Sequence, residues 1–96
     1  MLFANKIKEL RESKQMLQRH ISAALDIDNA MYCKIERGDR RAKREQITII
    51  AQLLQTNENT LVTLWLADKI ISAIDDEKEF TEKAFKIAQQ TIKLKQ

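Results

Sequence analysis

Ninety-six residues with 44 % hydrophobic side chains can bury one modest core, which excludes a catalytic cleft between two domains. One glycine, no proline and many Leu, Ile, Ala, Lys, Glu and Gln leave few turn formers and favour helix almost throughout, so the expectation is an all-α protein. The net charge of +3 is mild but uneven: positions 34–44 hold six basic and two acidic side chains, whereas 75–96 hold five of each.

In FANKIKELRESK, Phe3, Ile7 and Leu10 recur at helical spacing between charged neighbours, which predicts a first amphipathic helix. A short second helix is expected in LQRHISAALDI, where Ile21 and Leu25 stand one turn apart and Ser22 and Ala23 are small enough for close helix packing. Asp28 is placed to cap a third helix from about Asn29 to Arg37. Tyr32 and Ile35 form its inward edge, Asn29, Ala30, Cys33 and Lys34 point elsewhere, and Gly38 suits the left-handed residue that ends a helix. From Glu45 to Leu54, the spacing of Ile47, Ile50, Ala51 and Leu54 predicts a fourth helix with a buried face. Asn57 caps a fifth beginning near Glu58, and its Leu61, Leu64, Trp65, Ile70, Ile71 and Ile74 supply more apolar surface than one stripe requires. Only Glu58, Asp68 and Lys69 are charged between 46 and 74, which points to contact with another chain. Asp75 and Asp76 are expected to open a last helix, where acids favour the macrodipole. Phe80, Ala84, Ile87, Ala88 and Thr91 line one side of it, and its KLKQ end is expected to fray. The organisation expected is one domain at 1–69 and a helical extension at 70–96.

A lone cysteine forms no internal disulfide, and no basic segment followed by an apolar stretch and a cleavage site opens the chain, so a reducing cytoplasm is expected. The apolar tract LVTLWLA at 61–67 falls far short of the roughly 20 residues of a membrane span, so no membrane association is expected. Enzymatic chemistry has little to work with. His20 and Cys33, the only residues of their types, cannot close a zinc site, and no histidine–acid pair stands ready to activate Ser13, Ser22 or Ser72. A single glycine rules out a glycine-rich phosphate loop. The expectation is no enzyme, no cofactor, no metal and no small-molecule effector. His20 is read as an exposed residue or an occasional phosphate contact. Cys33 is read as a small side chain tolerated on an outer face in preference to a redox switch, and Tyr32 and Trp65 as core residues in preference to base-stacking platforms.

Two short helices joined by LDID, the second capped by Asp28 and stopped by Gly38, have the layout of a helix-turn-helix. With IKELRESK before them, KIERG closing the second and ITIIAQLL after, residues 6–66 resemble the helix-turn-helix domain of the Cro and lambda-repressor family. The resemblance implies a compact five-helix bundle of lambda-repressor type, followed here by the C-terminal helical extension. It also implies roles. Gln18 resembles the glutamine that opens helix two, bonds a DNA phosphate and braces the recognition helix. Asn29, Ala30 and Lys34 fall at base-reading positions, with Met31 and Cys33 adjacent to the DNA. Arg40 and Arg41 match loop positions that hold phosphates, assisted by Lys43 and Arg44, while Arg11 and Glu36 match a structural ion pair between helices one and three. The chain departs from the family where Leu17 stands in place of a capping Ser or Thr, and where Gln15, Asp26 and Gln55 occupy positions that favour glycine.

The function expected is a cytoplasmic, sequence-specific regulator of transcription that binds double-stranded DNA as a homodimer on a two-fold related operator. Phage repressors, antitoxins and controllers of restriction-modification genes are the roles considered, with the controller favoured. Trp65, Ile70, Ile74, Phe80 and Ile87 are the expected dimer interface. The alternative is an interaction module that keeps the helix-turn-helix as a scaffold and docks a partner enzyme or toxin through its C-terminal helices.

Overall fold

The computed structural model describes residues 1–95 and contains, among them, six α-helices, one 3-10 turn and no strand. The first periodic segment forms α1 (Leu2–Ser13), and the short segments around LDID form α2 (Gln18–Leu25) and α3 (Asn29–Arg37). The isoleucine stripe forms α4 (Arg44–Leu53), the long apolar segment forms α5 (Glu58–Ile74), and α6 spans Thr81–Lys95. Among the described residues, no helix is long and apolar enough to cross a membrane.

One apolar face from each of the first five helices meets in a single core. Ile7, Ile21, Tyr32, Ile35, Ile47, Ile50, Leu54 and Leu61 are its fully enclosed side chains. Each comes from the helical stripe that its spacing predicts, because a residue every three or four positions keeps the same azimuth on a 3.6-residue turn. Ser22 is buried as a small residue at a close helix contact, but Ala23 is exposed.

The helix ends share one device. Gln15, Asp26, Gly38 and Gln55 all have positive φ, at 56°, 57°, 84° and 53°. The residue after each bonds back across the last turn: Met16 N to Arg11 O at 3.1 Å, Ile27 N to Ser22 O at 3.1 Å, Asp39 N to Lys34 O at 2.9 Å and Thr56 N to Ala51 O at 3.0 Å. These are the bonds that satisfy the orphan carbonyls at a helix end when one residue turns left-handed. Only one of the four stops is glycine, and there a Cβ would lie 2.7 Å from Met1 Cγ. The other three hold L side chains in a region that disfavours them by about 1–2 kcal/mol. Gln15→Gly is therefore expected to stabilise the fold by about 0.5 kcal/mol, after the greater freedom of glycine in the unfolded chain is set against the relieved strain. Urea denaturation measures this, and a less stable variant would contradict the strain.

Two sequence expectations require correction. Asp75 and Asp76 do not open the last helix: α5 ends at Ile74, the 3-10 turn Lys78–Phe80 follows, and α6 starts at Thr81. Helix-favouring composition continues through this stretch, so periodicity alone does not reveal the break. At the other end, α6 stays helical through Lys95 where KLKQ was expected to fray, while Gln96 lies outside the described residues. Burial stops at Asp68, and every side chain of α6 beyond half-buried Thr81 is exposed.

Candidate nucleic-acid interface

The site is built on α3 and on the basic loop that follows it. Asp26 turns the chain out of α2, and Asp28 Oδ1 accepts the Met31 amide at 2.7 Å, so the first turn of α3 is fixed by a charged cap. This sets the azimuth of the helix. Tyr32 and Ile35 go into the core, and Asn29, Ala30 and Lys34 form an exposed row on the opposite side, with Met31 and Cys33 half-buried at its flank.

Behind this row α3 is braced by a polar cluster. Arg11 of α1 donates from Nε and Nη2 to the Glu36 carboxylate at 2.8–3.2 Å, and its Nη1 donates to Met16 O at 2.8 Å. Gln18 of α2 donates to Glu36 Oε1 at 3.3 Å and accepts from Cys33 Sγ at 3.0 Å, so three helices converge on one carboxylate. Glu36 is only 4 % exposed. Burial by itself raises its pKa, but the hydrogen bonds from Arg11 and Gln18 outweigh it and hold the group below the usual glutamate range. The hydrogen bonds to Glu36 raise the Arg11 pKa further. Tyr32 approaches Glu36 without reaching hydrogen-bond geometry, and its buried hydroxyl has no partner among the described residues. Burial, reinforced by the Glu36 charge, pushes its ionisation upward.

The loop 38–43 is fastened to α5. Trp65 Nε1 donates to Ala42 O at 2.8 Å, and Lys69 Nζ lies 3.7 Å above the indole ring. Arg41 donates to Ser72 Oγ at 3.3 Å. Arg40, Arg41 and Lys43 are exposed, and none of them, nor Lys34, forms an ion pair among the described residues. Arg44 differs: it pairs with Glu58 at 2.9 Å, which holds that carboxylate below its usual range, and it also reaches Thr48 Oγ1 at 3.3 Å. Arg37 pairs with Asp39 at 3.1 Å.

An open groove of about 470 Å³ separates α1 from the end of α3, with Asn5, Lys8, Gln18, Glu36, Arg37 and Asp39 along it. The sequence expectations did not include Lys8 and Asn5. They also missed two structural roles. His20 Nδ1, at the third position of α2, accepts the Leu17 amide at 3.0 Å, which is the reciprocal half of a capping box, while the leucine side chain caps nothing itself. Asp68, 4 % exposed, accepts the Leu2 and Phe3 amides at 2.9 and 3.0 Å and so caps α1 from across the core. A lone acid inside an otherwise apolar helix was the available signal for the second role.

Trp65 was expected both as a core residue and at a dimer interface, and the structure places it in the core. Its ring is 9 % exposed, hydrogen-bonded to the loop and covered by Lys69, so it belongs to the protomer core. Ile70, Phe80 and Ile87 are exposed and Ile74 is half-buried. Comparison with known proteins adds no identity: no family, curated protein or solved structure gives a significant match to the chain.

Proposed function

We propose that this protein is a sequence-specific regulator of transcription that binds double-stranded DNA through a helix-turn-helix of Cro and lambda-repressor type, formed by α2 and α3. The observation that carries the proposal is the exposed row Asn29, Ala30, Lys34, fixed by a charged cap, braced from behind by Arg11 and Glu36, and followed by exposed Arg40, Arg41 and Lys43, which form no ion pair among the described residues. In this proposal α3 enters the major groove. Asn29 pairs with an adenine edge, Lys34 donates to guanine and the Ala30 methyl meets a thymine methyl, each good bidentate contact contributing about 1–3 kcal/mol of discrimination. The loop cations hold phosphates. Gln18 bonds a phosphate as well, after exchanging its present partners for the DNA, and Arg44 assists from the start of α4. A homodimer would set two α3 helices about 34 Å apart on a two-fold related operator in the cytoplasm. Control of restriction-modification genes is the favoured role among the regulators of this size.

Selection from random duplex DNA tests the proposal. A consensus with two-fold symmetry is expected, and Asn29→Ala or Lys34→Ala should change preference at one position in each half-site. An unaltered consensus would show that these side chains do not read bases. The rival function, a scaffold that docks a partner enzyme or toxin, is favoured by the engagement of Gln18 with Glu36 and Cys33 and of Arg41 with Ser72. It predicts no duplex binding even at low salt.

A further inference from the structure

Among the described residues, no other α-helix packs along α6. Isolated helices of about 12–15 residues are marginal in water, and this one spans 15 residues with almost every side chain exposed. Phe80, Ala84, Ile87, Ala88 and Leu94 share one face of the helix, and Phe85 and Ile92 widen it to about half the circumference at 100° per residue. Exposure ranges from 40 % at Phe85 to 87 % at Leu94. The large apolar side chains of this face present on the order of 600 Å² to solvent, against the ~800 Å² that each partner contributes to a standard interface.

The charges say what covers this face. Residues 75–82 hold five acids and one lysine, whereas residues 83–95 hold four lysines and no acid. The segment is acidic at its start and basic at its end. Two copies side by side in parallel would set acid against acid and base against base. Two copies in antiparallel set each acidic start against the partner's basic end, and a two-fold axis near Phe85, midway along residues 75–95, satisfies both contacts at once. The small residues Ala84 and Ala88 lie near that crossing and let the helices approach closely.

We propose that α6, with the preceding turn and the end of α5, is a self-complementary interface through which two copies of this chain pair antiparallel. Homodimerisation belongs to the DNA-binding proposal, but the location and direction of the contact rest only on the apolar face of α6 and the charge order of residues 75–95.

Charge reversal on the full chain tests it by sedimentation at micromolar concentration, with circular dichroism as the check on folding. The wild-type protein should be a dimer. Glu79→Lys with Glu82→Lys, and separately Lys93→Glu with Lys95→Glu, should each weaken self-association by about tenfold or more, because each variant neutralises one end and leaves charges of one sign at positions 79, 82, 93 and 95. An equimolar mixture of the two variants should restore dimers. A monomeric wild type, or variants that dimerise as the wild type does, would overturn the interface. A dimeric protein that ignores every duplex would leave the interface standing and remove the DNA proposal, and a monomer that binds duplex DNA would do the reverse.

Discussion

Arg11→Met is expected to cost the fold about 3 kcal/mol at neutral pH, in the range found when one partner of a buried ion pair is removed. The guanidinium makes three contacts to Glu36 and one to the Met16 carbonyl, and the carboxylate it leaves behind is 4 % exposed. Gln18 alone, at 3.3 Å, is a weak substitute. The loss should shrink on acidification. In the wild type, Glu36 has a folded pKa held below its unfolded value, so its contribution is full above the unfolded pKa and disappears as pH falls through the folded one. In the variant, burial without Arg11 pushes Glu36 above the unfolded value, so the folded state takes up the proton first and gains relative stability as pH falls. Urea denaturation of both proteins at pH 7 and about pH 4.5, near the ordinary glutamate value, measures the difference. An equal loss at both pH values would show that the uncompensated carboxylate is not the cause. Arg11→Met combined with Glu36→Leu should recover much of the stability, since an apolar pair of similar volume avoids the desolvation of both charges.

Replacing Arg40 and Arg41 together with alanine should weaken binding to every duplex alike and reduce the salt slope by about two. If each holds one phosphate, loss of counterion release alone lowers affinity roughly thirtyfold near 150 mM salt. Neither side chain is buried, and the one hydrogen bond they make, Arg41 to Ser72 at 3.3 Å, is exposed, so the fold should be almost unaffected. Titration of a fixed duplex across salt concentrations separates this effect from that of Asn29 and Lys34, which should alter preference and leave the slope near its wild-type value. An unchanged slope in the double variant would remove the loop from the proposed interface.

Much of the architecture was legible because helical spacing converts directly into burial. The stripe Ile47, Ile50, Ala51, Leu54 is buried at every position, and Tyr32 and Ile35 face inward on α3 while Asn29, Ala30 and Lys34 face out. Asp28, Gly38 and Asn57 act at the helix ends where their chemistry places them. The other helix stops were less visible. Gln15, Asp26 and Gln55 take left-handed backbone although their side chains do not advertise it, and they stood out only as departures from a resembling family.

From sequence alone came the all-helical class, the inward faces of the first four helices and the concentration of charge after Gly38, because each follows from local spacing and composition. Tertiary structure alone decided how Trp65 is held in the core, since that depends on the Ala42 carbonyl 23 positions away and on Lys69 closing over the ring. It alone decided that Asp68 caps a helix 65 residues earlier, and that α6 stands free while α5 packs. An amphipathic pattern specifies that a face must be covered, but which surface covers it depends on where the rest of the chain has already folded.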